Sequence, residues 1–163
     1  MFFFNKPIRT FLFITFFSVL ALSCTNNSTS VEMNEEQPES QIEGAITLNN
    51  SGAQSYLISS IEGEGIQAEN DTPNATIELE IGGRYTFINN AGASSHPLDF
   101  RNADRDKLFG QSNNSGSFNQ DENVNLSRNG DAITFTLTEE LAEQLFDYIC
   151  SFHPPMNGMI TTE

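Results

Sequence analysis

The sequence predicts an all-β fold, a sandwich or barrel of short strands. Three observations predict it. Apolar residues alternate with polar ones in several short runs, notably Ile77, Leu79 and Ile81 against Thr76, Glu78 and Glu80. Those runs are separated by glycine, asparagine, aspartate and serine, the residues of tight turns. Only one stretch, Thr138 to Leu145, carries helix signals. Many short strands with almost no helix indicate two sheets packed face to face or one closed on itself.

Taken in order, the folded part is expected to begin at Ala53, leaving about 110 residues, enough for one core. Ala53–Ile61 is a candidate strand, followed by Thr76–Ile81. Gly82-Gly83 then makes a turn, and Tyr85 and Phe87 alternate with Arg84, Thr86 and Ile88. Pro97–Arg101 is a short strand. The stretch from Asn102 to Gly130 offers weak strands only at Lys107–Phe109 and Asn123–Leu126. Ala132–Leu137 alternates again. Thr138 before Glu139 and Glu140 looks like a helix start, since acids in a first turn suit the helix dipole. Phe146–Cys150 and Met159–Thr162 are the last strands, and no repeat is visible.

What precedes residue 53 reads differently. Residues 1–23 have Lys6 and Arg9, an apolar run from Phe11 to Leu22 and small residues before Cys24, the parts of a secretory signal. The run is shorter than the ~20 residues of a comfortable membrane span; the alternative is an uncleaved anchor helix. Ala21-Leu22-Ser23-Cys24 resembles the bacterial lipobox, which implies cleavage before a lipid-modified Cys24 and a chain tethered in the bacterial cell envelope, on the periplasmic or outer-membrane side. Residues 24–52 are polar and acidic with no sustained apolar period, so they are expected to be a disordered linker.

Composition excludes several functions. Of 163 residues 22 are acidic and 7 basic, a net charge of −15. Loss of Lys6 and Arg9 with the signal makes that −17. Such a chain repels nucleic acid. Two cysteines make no disulfide scaffold, and two histidines cannot build a site that needs three imidazoles.

The chemistry is concentrated in Tyr148-Ile-Cys-Ser-Phe-His-Pro-Pro-Met-Asn-Gly-Met159. It sets Cys150, His153 and Met156 in a C-x-x-H-x-x-M array on one short loop between strands, while His96 follows an earlier strand. Singly, each residue is ordinary: a strand cysteine is commonly a small buried hydrophobe, and C-x-x-H also suits zinc. Together they supply a soft thiolate, two imidazoles and a weak thioether, the donor set of a blue-copper site.

Two blocks resemble the cupredoxins, the plastocyanin, amicyanin and pseudoazurin group. Ile77 to His96 looks like the plastocyanin stretch that ends in its first copper histidine. Ile133 to Ile160 is similar to amicyanin around its short ligand loop. The match covers roughly Thr76–Phe100 and Ile133–Thr161. It implies a Greek-key β-sandwich holding one copper ion, Cu(II)/Cu(I), with His96, Cys150 and His153 as equatorial ligands. Met156 is implied as axial ligand, with Met159 as the competitor. The sequence departs from the family at Pro97, usually Asn, at Phe152, usually Pro, and at Ile149, often aromatic in plastocyanins. Because Pro97 has no N–H to give, the Phe152 amide is expected to replace the family's donor to the thiolate.

The function implied is a lipid-anchored, monomeric carrier of single electrons. It would serve a redox partner protein such as a cytochrome c or a membrane oxidoreductase, toward which an acidic surface can steer. A module that stores, delivers or senses copper is the alternative. An enzyme is not expected, since copper enzymes of this kind need further histidines. Changing Cys24→Ser is expected to abolish incorporation of a labelled fatty acid while leaving the folded domain intact; equal label in variant and parent removes the lipoprotein reading.

Overall fold

The computed structural model describes residues 41–163. The expected signal peptide at 1–23, the lipidation site Cys24 and the linker as far as residue 40 lie outside the described residues. Eleven strands and one short helix follow: β1 Glu43–Ser51, β2 Ser55–Gly63, β3 Ile66–Ala68, β4 Ile77–Leu79, β5 Arg84–Asn89, β6 Leu98–Arg101, β7 Lys107–Gly110, β8 Ser127–Asn129, β9 Ala132–Thr136, α1 Glu139–Ala142, β10 Asp147–Cys150 and β11 Asn157–Thr162. They form a five-stranded sheet, β2-β1-β5-β9-β8, and a six-stranded one, β3-β4-β11-β10-β6-β7. Both are mixed, because β1 runs parallel to β5 and β4 parallel to β11.

Alternation decides which side chains face inward. In β5, Tyr85, Phe87 and Asn89 are buried while Arg84, Thr86 and Ile88 are half-buried. In β9, Ile133 and Phe135 point the same way. The two sheets meet through aromatic rings. Phe87 and Phe135 from one sheet lie 5.1 and 5.3 Å from Phe100 of the other, and Phe109 lies 4.8 Å from Phe135. Edge-to-face and tilted contacts at these separations suit the ring quadrupole. Each fully buried Phe stabilises the fold by roughly 1.5–3 kcal/mol through apolar burial. The all-β sandwich read from the sequence is therefore the architecture found.

Two expectations are corrected. The domain does not begin at Ala53, because β1 lies wholly within the segment read as linker. This strand is central, paired antiparallel with β2 and parallel with β5, and it buries Ile46 and Leu48 completely. It escaped because two aliphatic side chains among Thr, Asn and Ser make a faint alternation, whereas pairing on both edges supplies what side chains do not. The second correction concerns Asn123–Leu126, which is not a strand. Asp121 accepts hydrogen bonds from the Asn123 and Val124 amides and curls this stretch into turns, and the strand starts four residues later, at Ser127–Asn129.

Elsewhere the boundaries shift by one or two residues. The strand expected from Met159 starts at Asn157, and the one expected from Phe146 starts at Asp147. The short β3 had no expectation. Thr138 caps α1 as its sequence position implies, its hydroxyl accepting from the Leu141 amide at 3.2 Å.

A chain beginning at Ala53 is expected to show no cooperative thermal transition by circular dichroism, since it lacks a central strand. One beginning at Gln41 should melt as the parent does. Cooperative melting of the shorter chain would show β1 to be dispensable.

Candidate metal centre

Three segments converge at one end of the sandwich. β5 leads into the loop that ends in His96, β6 starts from it, and the loop from β10 to β11 carries the other residues. β10 runs antiparallel to β6 with Cys150 opposite Leu98, two residues past His96. Strand parity sends Tyr148 and Cys150 inward. Gly158 of β11 opposes Tyr148 of β10, and a Cβ there would run into the Tyr148 ring, so only glycine lets that ring lie against the neighbouring strand.

The loop after Cys150 closes upon itself. Cys150 N–H donates to the Met156 carbonyl at 2.9 Å, His153 N–H to the Cys150 carbonyl at 3.3 Å, and Met156 N–H to the His153 carbonyl at 2.9 Å. Asn74 Nδ2 ties the loop from outside through the Pro155 carbonyl at 2.9 Å. Seven residues thus have few conformations left to them.

His96, Cys150 and His153 are brought together as expected. Their ligand atoms all lie within 4.8 Å of one another. Cys150 Sγ is 3.5 Å from His153 Nδ1 and 3.8 Å from His96 Nδ1. The imidazole centroids stand 4.6 Å apart. The thiol is fully buried and both imidazoles are half-buried. Desolvation, reinforced by the neighbouring His153, pulls the His96 imidazole below its ordinary 6.5. It is therefore neutral at pH 7, with a lone pair free to bind a cation. A soft thiol and two imidazoles converging on one point could hold a metal ion.

The two methionines are separated by the fold. Met156 is completely buried within the ligand loop. Met159 is 47% exposed and opposes Asp147 on β10, which puts it on the face opposite Cys150. The expected bond from the Phe152 amide to the thiolate is not found: Cys150 Sγ lies against the two Nδ1 atoms, with the Tyr56 phenol also beside it. Neighbouring amides of this turn go elsewhere: Ser151 N–H donates to the Pro97 carbonyl at 3.1 Å and His153 N–H to Cys150.

Sequence reasoning missed the residues that hold His96. Its carbonyl accepts from the Tyr56 hydroxyl at 2.7 Å and from Asn89 Nδ2 at 2.8 Å. Asn89 also donates to Gln111 Oε1, which accepts from the Leu98 amide. Tyr56 and Asn89 are fully buried. Burial is the main cause that pushes the Tyr56 phenol far above its ordinary 10.0, so it stays a neutral donor. No spacing links Tyr56 to His96, 40 residues away; alternation marks Tyr56 only as inward-facing.

The chain matches no protein-family model, no curated protein and no solved structure.

Removing the phenol in Tyr56→Phe is expected to cost about 1 kcal/mol, since the His96 carbonyl keeps its bond from Asn89. Asn89→Ala should cost more, because Gln111 loses a partner as well. Chemical denaturation of the metal-free protein measures both, and equal, negligible losses would mean that the two donors do not hold this loop.

Proposed function

We propose that this centre binds one copper ion as a type 1 site and that the protein carries single electrons in the bacterial cell envelope, anchored through lipid on Cys24. The observation that supports it is the convergence of a buried thiol with both histidines of the chain at the closed loop of a β-sandwich. On this reading His96, Cys150 and His153 would hold the ion as its strong donors, with Met156, buried in the same loop, as the weak thioether donor, and Met159 on the outer face would not take part. A bound copper ion would supply a Cu(II)/Cu(I) couple that takes up and gives out one electron. Thioether and thiolate donors favour copper over the hard cations, and structural zinc sites are built from four cysteine or histidine ligands.

The rest is the work of the chain. Burial of Cys150 excludes water from the sulfur. The loop closed by its own backbone holds thiolate and His153 in a fixed relation, whether the ion is oxidised or reduced. The two bonds to the His96 carbonyl fix the third donor. Little rearrangement between states means a low barrier to electron exchange. Half-exposed imidazoles bring the centre near the surface, where a redox partner can approach. A cytochrome c or a membrane oxidoreductase would be such a partner.

The same half-exposure favours a second reading, in which copper enters and leaves and the protein stores, delivers or senses it. Reduction kinetics with a basic cytochrome c separate the two, since a carrier exchanges electrons faster than it loses copper. The resemblance to cupredoxins in the residues flanking both ligand loops supports the carrier.

Adding Cu(II) to the purified protein is expected to give one equivalent of binding, an intense thiolate-to-copper absorption and narrow copper hyperfine splitting. Cys150→Ser should abolish the colour, because an alcohol is neither soft nor readily ionised. Met156→Leu should keep it and raise the reduction potential, since loss of a weak axial donor disfavours the harder oxidised ion. A colourless protein with Cu(II) overturns the copper reading.

A further inference from the structure

Behind the ligand loop lies a buried charge that the proposed chemistry does not use. Asp99 sits in β6, opposite Ile149 of β10 and Gly110 of β7, and is 6% exposed. Its Oδ1 accepts from the Ser112 amide at 3.1 Å and pairs with Lys107 Nζ at 3.0 Å. Its Oδ2 accepts from the Ser112 hydroxyl at 2.6 Å and from the hydroxyl of Ser151. Lys107 in turn donates to Ser112 Oγ and to both oxygens of Asn113. The cradle excludes a larger residue at Gly110, where a Cβ would stand 2.1 Å from Asp99 Oδ1.

A carboxylate withdrawn from water costs several kcal/mol unless it is paired and fully hydrogen-bonded. Here it has one ammonium, two hydroxyls and one amide. Such a group is expensive to place and its partners are informative. Three belong to the β7 strand and the loop after it. The fourth is Ser151, the residue directly after Cys150. Ser151 is therefore held twice, by its amide on the Pro97 carbonyl and by its hydroxyl on Asp99.

We propose that Asp99 is a positioning residue for the metal centre: through Ser151 its carboxylate, balanced by Lys107, pins the start of the ligand loop to the strand that follows His96. The assignment rests on the reading of Cys150 and His153 as ligands. The bond is charge-assisted, a class stronger than a neutral hydrogen bond. It acts one residue from the thiolate, so its loss frees the loop at Cys150 while the sheet that carries β5 and β9 keeps its contacts.

The test needs no metal. In the full chain without copper, alkylation of the Cys150 thiol by iodoacetamide, followed by mass spectrometry of its peptide, reports opening of the loop. Ser151→Ala is expected to speed it about tenfold, as loss of one bond to a charged group allows. Asp99→Asn should speed it as well. Ser151→Thr, which keeps the hydroxyl, should restore the parent rate. Amide hydrogen exchange in β5 and β9 should stay at the parent rate in Ser151→Ala, which separates local opening from general loss of stability. A parent-like alkylation rate in Ser151→Ala overturns the proposal, as does acceleration matched by faster exchange in β5 and β9. Failure of the copper reading would instead show as a colourless protein with Cu(II), whatever the alkylation rates.

Discussion

The register of β6 against β10 is the constraint on which the His96, Cys150 and His153 cluster depends. Cys150 stands opposite Leu98, so the thiol and the residue two places past His96 share one level of the sheet. A slip of one residue would turn Cys150 to the outer face and carry Tyr148 with it. Several features guard against this. Tyr148 fills an inner site against Tyr56, with ring centroids 6.0 Å apart, and its hydroxyl reaches the Ala75 carbonyl. On the outer face Arg101 pairs with Asp147 through two bonds of 2.9 and 2.6 Å, a fork that fits only when these two residues oppose each other. Asn157 adds a bond to the same carboxylate. The inner aromatic and the outer ion pair demand the same alignment.

Around that register the fold satisfies its buried polar groups almost completely, and the places where it does so are the places that shape the centre. A carbonyl taken out of water must be paired or it costs a few kcal/mol. The His96 carbonyl obtains two partners from two other strands, and Asn74 joins Tyr56 to the ligand loop by accepting one amide and donating to Pro155. Rigidity at the centre thus follows from ordinary hydrogen-bond accounting in the core. Among the described residues the one exception is Asn89 Oδ1, which is buried without a protein partner, although the nitrogen of the same amide makes two bonds.

How much of this was legible in the sequence follows from what each signal measures. Alternation reports half-buried strands, and it found β4, β5 and β9. It fails for β1, where pairing on both edges replaces a strong apolar pattern, and for the turns around Asp121, where side-chain to backbone bonds override a weak one. The donors His96, Cys150 and His153 were legible because their chemistry is rare in this chain. Met156 was favoured over Met159 by its spacing in the C-x-x-H-x-x-M array, and the structure separates them by place, Met156 buried in the ligand loop before β11 and Met159 exposed on that strand. Tyr56 and Asp99 were invisible as site residues, since their contacts to His96 and Ser151 span 40 and 52 residues of chain that no local pattern records, while Asn89, 7 residues before His96, is a polar residue at a strand end that no pattern marks as a partner.

Charge and site also separate in space, and this limits what the acidic composition can do. β1 enters beside Arg84, at the start of β5, and His96 follows the other end of that strand. Five residue steps at ~3.3 Å each put roughly 17 Å between the two ends. Glu43, Glu64, Glu80 and Glu163 belong to the entry end, linked there by backbone bonds such as Glu64 N–H to the Glu43 carbonyl. Nearer the metal end, Asp131 is engaged by the Ala93 amide and Asp99 by Lys107. At physiological ionic strength charges are screened within ~8 Å. The negative charge of the entry end is therefore largely screened at the imidazoles. On the proposed function, discrimination between partners would come from contact with the loop itself, where Phe152 is 61% exposed and the imidazoles are half-buried. Short-range packing would decide whether a partner that has been attracted is also productively docked.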